Sequence, residues 1–249
     1  MSKLYLFVLY LFVSLAVVSC GSKEKPVLRI GMNVEFPPFS SIVDSAYVGV
    51  DVDLSHKIAQ KLEMPYEIIN MEFNTLIQAL KSEKIDIIIS AMSITDLRSR
   101  QVEFTQPYYL AHLVLIAGEK SPQMPVDEKD IGKYKIGVLH GSTAHEYLFR
   151  GFVDKDILPS NNLVLYAQNT EAIEALIAGE IDFVVNDSSA AKGFGQTYPV
   201  RIGLQLNTKE EYAIAMPRDG KYNEKINNAL QDIIDSGELN SILATHIAE

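Results

Sequence analysis

A chain of 249 residues, 47% hydrophobic and 22% charged, is long enough to bury one large core or two small ones, and its balance is globular rather than disordered. A formal net charge of −10 argues against a nucleic-acid partner, whose phosphates need a basic surface, and leaves cationic or zwitterionic small ligands open. Cys20 is the only cysteine, so no disulfide closes within the chain.

In chain order, the first segment differs in kind from the rest. Lys3 is its only charge, and Leu4 to Val18 runs without another before Ser19-Cys20-Gly21. That run is short for a bilayer span and right for the apolar region of a secretory signal, a retained signal anchor being the alternative. Val17-Val18-Ser19-Cys20 followed by Gly21 resembles the lipobox of bacterial lipoprotein precursors, with Val17 where leucine is usual. The resemblance implies a signal peptide over 1–19 and lipidation of Cys20, where several acyl chains give a stable membrane anchor. Residues 20–26 then form a polar tether.

From Val27 onward the pattern is α/β. VLRIGMN (Val27 to Asn33) reads as a strand, Val52 to Leu62 as an amphipathic helix and YEIINM (Tyr66 to Met71) as a second strand. NTLIQALKSEKIDIIIS (Asn74 to Ser90) reads as a helix running into a buried strand. The order then returns: YKIGVLH (Tyr134 to His140), a helical pattern from Ala144 to Phe149, LVLYAQ (Leu163 to Gln168) and TEAIEALIAGEIDFVVN (Thr170 to Asn186). The two helix–strand segments align without gaps, pairing Ile77 with Ile173, Ala79-Leu80 with Ala175-Leu176 and Ile85-Asp86 with Ile181-Asp182. Two β-α-β-α-β units predict two lobes, each with a parallel-rich sheet flanked by helices. AKGFGQTYP, Ala191 to Pro199, reads as irregular, and EYAIAM (Glu211 to Met216) as one short strand. A helix from Tyr222 to Ile234, ended at Ser236-Gly237, and a last short helix close the chain.

Ligands of open parallel sheets bind beyond the carboxyl ends of the strands, and the unusual polar residues stand there. Arg98 follows a buried strand, in the first turn of a helix capped by Thr95 or Asp96, and its planar fork suits a carboxylate. A surface ion pair with Glu103 is the plainer reading. Ser90 and Ser93 offer hydroxyls and open amides to the same anion. Ser142 and Thr143 of GSTA offer an N-terminal amide cluster or simply a helix cap. Asp187, aligned with Ala91 in the repeat, is either an N-cap or the receiver of an ammonium group. Phe36 and Phe73 sit in a loop and at a helix start, where they can flank an aliphatic stem, face a cation or pack on the core. The five histidines lack metal-ligand spacing and no phosphate loop or G-x-S-x-G occurs, so neither metal nor cofactor is expected.

FPPFSS, GVDVDLSHKIAQKL, FNTLIQALKSEKIDIIISAMSITDLRSRQVEFTQPYY, GVLHGSTAHEY and IDFVVNDSSAA together resemble the polar amino-acid solute-binding proteins of bacterial ABC importers. This is the family 3 type of extracellular solute-binding protein, here in lipoprotein form, and the likeness covers nearly all of the chain from Val27. It implies a periplasmic-binding-protein-like α/β fold: one lobe from 27–111 plus 213–249, a second from 112–212, and hinge strands near 110–116 and 206–214. It also implies that Phe36 and Phe73 sandwich the ligand, that Ser90, Ser93, Arg98 and Thr143 hold its α-carboxylate, and that Asp187 holds its α-ammonium. The implied partners are an amino acid and a membrane permease, with the protein a monomer anchored at the bacterial cell envelope, periplasmic or on the outer face of the membrane.

Departures from the family pattern bear on the ligand side chain. Asn33 stands where lysine- and arginine-binding members often carry aspartate, Ala144 where they carry glutamine, Ala91 replaces serine or glycine, and Val50 replaces a phenylalanine. Glu35 or Asp51 are the candidates to replace the missing aspartate, and the acidic net charge steers cations. The expected ligand is a polar amino acid, basic slightly ahead of neutral. The same fold resembles cyclohexadienyl (arogenate) dehydratases, which need a general acid, for which only Glu35 and Glu72 are left. A ligand-sensing receptor domain is the third reading. Capture without catalysis is the expectation.

Overall fold

The computed structural model describes residues 25–247; the signal segment and Cys20 lie outside them. The first lobe opens with β1 (Leu28–Met32), a hairpin of β2 (Ser41–Val43) and β3 (Ala46–Val48), α1 (Val50–Lys61) and β4 (Tyr66–Asn70). It continues through α2 (Leu76–Lys81), β5 (Ile87–Ile88), α3 (Asp96–Ser99) and β6 (Glu103–Phe104). After β7 (Tyr109–Ala111), the second lobe holds β8 (Leu113–Gly118), β9 (Ile136–Leu139), α4 (Thr143–Leu148), β10 (Leu163–Tyr166), α5 (Asn169–Ala178), β11 (Phe183–Asp187), α6 (Ser188–Thr197) and β12 (Val200–Gln205). The chain returns through β13 (Glu210–Tyr212) to β14 (Ala215–Met216), α7 (Asn223–Asp235) and α8 (Glu238–His246) on the first lobe.

The sheet orders are β4-β1-β5-β14-β6 and β10-β9-β11-β8-β12. In each, three parallel strands in the order second, first, third are followed by a fourth antiparallel to them and a fifth antiparallel to the fourth. β7 and β13 pair antiparallel as the ribbon where the chain crosses between the sheets, Tyr109 opposite Tyr212.

The aligned Ile-Asp pairs explain themselves in this frame. Asp86 and Asp182 each accept a backbone N–H at the start of the first strand of their unit, from Arg29 in β1 and from Lys135 just before β9, both at 2.8 Å. The preceding Ile85 and Ile181 lie against Gly31 and Gly137, where a Cβ would stand 2.3 and 2.5 Å from the isoleucine Cδ1, so any larger residue must push that buried side chain aside. Both faces of each sheet are packed. In the first lobe Leu54 and Ile58 of α1 meet Ile226, Leu230 and Ile233 of α7 over Leu28 and Ile30, with Leu76, Leu80 and Ile88 on the other face. In the second, Ile136, Leu148 and Phe183 fill one face and Ile173, Leu176 and Val184 the other. Each such side chain contributes about 1.5–3 kcal/mol by leaving water.

Two expectations are corrected. Ala191 to Thr197, read as irregular, belongs to helix α6; Gly193 lies in it because Pro37 of the first lobe packs against that spot, and a Cβ would stand 2.6 Å from the Pro37 carbonyl. The single strand over Glu211 to Met216 is two, because β13 serves the crossing ribbon and β14 the first sheet, with buried Ala213 and Ile214 between them.

Candidate functional site

The carboxyl ends of both sheets face one another across a narrow cavity between the lobes. Asn33, Phe36, Phe73, Ser90, Ala91 and Ser93 line it from the first lobe, together with Arg98. Thr143 and Asp187 line it from the second.

Arg98 reaches the cavity because Thr95 caps α3, its Oγ1 accepting the Arg98 N–H at 3.2 Å. The guanidinium donates to the Ser93 carbonyl at 2.8 Å and to the Gly141 carbonyl, across the cleft, at 3.1 Å, and lies 5.3 Å from the Phe73 ring centroid. It is 8% exposed, and burial pulls its pKa down against the charges of Glu210, Glu146 and Asp187. The ion pair with Glu103 is not formed: Glu103 accepts from Asn223 Nδ2 at 2.7 Å instead. Neutral carbonyls therefore hold the fork in place without neutralising it, which leaves it able to take an anion.

The turn before Arg98 is itself braced. Ser90 Oγ accepts the Asn33 N–H at 3.0 Å. Ala91 adopts a left-handed φ of 44°, a strained state for a residue with a Cβ, and its N–H donates to Asp51 Oδ2 at 2.7 Å. Asp51 is wholly buried and also accepts from the Tyr108 hydroxyl at 2.7 Å; burial pushes its pKa up to about 7. It thus supports the turn from beneath and does not line the cavity. Glu35 is also committed elsewhere, accepting from Thr170 Oγ1 of the opposite lobe at 2.6 Å, and Glu72 is exposed outside the cavity. None of the three acids held in reserve by the sequence lines the cavity.

Asp187 occupies the N-cap position of α6 without making the cap hydrogen bond, so its carboxylate is free for other use. Its Oδ1 is buried beside the Ser189 and Tyr212 hydroxyls, and none of the three makes a well-directed hydrogen bond, although the Tyr212 hydroxyl is near enough to act on the carboxylate. Burial, reinforced by the charge of Glu210, pushes its pKa up to about 7, with the Tyr212 hydroxyl and Arg98 opposing. An orphaned carboxylate oxygen is costly unless a cation meets it.

Direct bonds across the cleft hold the lobes together at its rim. Asn33 Nδ2 donates to Gln168 Oε1 at 3.1 Å, and Asn74 Nδ2 meets His140 Nδ1 at 2.8 Å. Phe36 packs on the cores of both lobes. Leu139, Asn169 and Val185 also line the cavity and were not singled out in the sequence. Asn169 was findable, since it follows the exit of the second strand of its unit; Leu139 and Val185 look like any buried strand residue.

The sequence profile of the bacterial extracellular solute-binding proteins, family 3, matches residues 28–249. The chain belongs to this family. This family 3 protein is 37% identical to the L-arginine-binding protein of Pseudomonas aeruginosa over 206 residues, spanning 80% of its own chain and 73% of the relative. An ancestral arginine-binding protein bound to arginine superposes with a TM-score of 0.82 at 30% identity, covering 90% of this chain and 100% of the other. An ancestral arginine-binding protein bound to glutamine gives 0.80 at 32% identity, covering 90% and 98%. Relatives of this family 3 chain are thus binding proteins, which favours capture over dehydration on the same fold.

Proposed function

We propose that this family 3 protein is the solute-binding component of an ABC importer and captures one polar amino acid by its zwitterionic head. Arg98, with Ser90, Ser93 and Thr143, receives the α-carboxylate; Asp187 receives the α-ammonium; Phe36 and Phe73 flank the stem. The observation that carries this is that Arg98 and the unpartnered Asp187 line one cavity from opposite lobes without neutralising each other. A ligand touching both lobes favours the closed state by its differential affinity for it, with the β7–β13 ribbon as the hinge, and the closed form docks on the permease. Residues 1–19 act as a signal peptide and lipid on Cys20 anchors the monomer at the cell envelope.

Calorimetric titration of the full chain in mild detergent, freed of carried-over ligand by unfolding, dialysis and refolding, tests this against the twenty amino acids. Tight binding of one or a few is the expected result. Silence across all twenty, and toward citrulline as well, would refute the reading.

A further inference from the structure

The cavity's charge inventory is short. Among the described residues lining it, Arg98 is the one cation and Asp187 the one anion. If the amino-acid reading holds, the ligand's α-carboxylate and α-ammonium use both. A third charge, on the side chain, would be buried with no counter-charge.

The neighbouring carboxylates do not change that count. Asp51 is sealed beneath the Ala91 turn by its bonds to Tyr108 and Ala91, and Glu35 is tied to Thr170. Glu210 lies in the crossing ribbon, outside the lining, where its charge already acts on Arg98 and Asp187. The aromatic faces offer a cation about 0.5–2 kcal/mol, and Phe73 already serves Arg98; burying an unpaired charge costs several times that. A side-chain carboxylate fares no better, since no second cation lines the cavity.

What the cavity does offer is amides. The Met71 carbonyl can only accept, so Asn33 Nδ2 faces it at 3.3 Å while also donating to Gln168, and among the described residues Asn33 Oδ1 receives no donor. On the opposite lobe Asn186 Nδ2 donates to Asn169 Oδ1 at 2.9 Å, which turns Asn169 Nδ2 the other way, held there only by a long 3.5 Å contact to the Glu35 carbonyl. One lobe therefore presents a free acceptor and the other a poorly used donor.

We propose, resting on the amino-acid reading, that the side chain selected here is uncharged and hydrogen-bonding, of the carboxamide or ureido class, and that Asn33 sets this selectivity. Such a side chain carries an N–H₂ donor for Asn33 and a carbonyl acceptor for Asn169. The proposal departs from the basic side chain slightly favoured by sequence, and from the arginine named for the Pseudomonas relative.

Citrulline and arginine isolate the point, because they differ little in size and the ureido group replaces the guanidinium. The full chain, stripped as above, is titrated with glutamine, asparagine, citrulline, arginine and lysine, and the Asn33→Asp variant with citrulline and arginine. The expected result is that glutamine or citrulline binds at least about tenfold more tightly than arginine or lysine. Asn33→Asp, which supplies the missing counter-charge, should reverse the citrulline–arginine order. Arginine or lysine binding as tightly as the uncharged ligands would overturn the proposal and leave the amino-acid reading standing, as would selection of an acidic or wholly apolar amino acid. An unchanged order in Asn33→Asp would overturn the role of Asn33. Failure of every amino acid would overturn both.

Discussion

The two lobes share a skeleton and differ at its exits. Where the first unit ends in Ser90-Ala91, the second ends in Asn186-Asp187. In the first lobe a buried carboxylate, Asp51, is spent holding the Ala91 N–H, and the chain continues into a capped turn that brings Arg98 to the cavity. In the second the carboxylate is Asp187 itself, at the start of α6 and free of cap bonding. One β-α-β-α-β frame used twice thus brings a cation and an anion to one cavity: Asp187 ends the third strand of its unit, and Arg98 follows the third strand of its own by ten residues. The frame is shared, and the sign of the charge is local.

Breaking the cationic half should have the largest effect. Arg98→Ala is expected to cost about 3–5 kcal/mol of ligand affinity, a loss of more than about a hundredfold, with unchanged circular dichroism. Asp187→Asn should cost less, about 2–3 kcal/mol, and should be selective: amino acids weaken while deaminated analogues hold their affinity, as competition titration would show.

The shared frame can be tested by stability alone. Gly31→Ala and Gly137→Ala push a methyl into Ile85 and Ile181 at equivalent places, and each should destabilise by about 1–3 kcal/mol in denaturant titration. Similar costs would support the repeat; a large cost at one and none at the other would break it.

The smallest effect is in pH. The Asp187 pKa is raised to about 7 from 3.8, so its ionised form is disfavoured in the folded, ligand-free protein. That destabilisation is absent below pH 4 and fully present above pH 7, and Asp51, shifted the same way, adds to it. A ligand ammonium favours ionised Asp187, so affinity should fall as pH drops from 7 toward 5, by at most about tenfold per pH unit for one proton. Calorimetry across that range checks it, and Asp187→Asn should flatten the slope.

Much of this frame was legible because periodicity reports burial: the paired Ile-Asp and Ala-Leu positions place both units before any coordinates. The irregular reading of Ala191 to Thr197 failed because glycine usually breaks helices, whereas Gly193 answers to Pro37 on the other lobe, a contact no local pattern carries. The Arg98 and Asp187 side chains were nameable from their exits alone. That Asp51 and Glu35 are committed, and that among the described residues Asn33 is left with a free oxygen, depend on partners 38 to 135 residues away and so were not readable in the sequence.

The split clamp is tested most directly by titrating the tightest-binding amino acid beside two analogues of it, one lacking only the α-amino group and one lacking only the α-carboxyl group. The two-lobe account predicts that each deletion weakens binding by a hundredfold or more, about 2.8 kcal/mol per lost charge. Binding of either analogue as tight as that of the parent would contradict it.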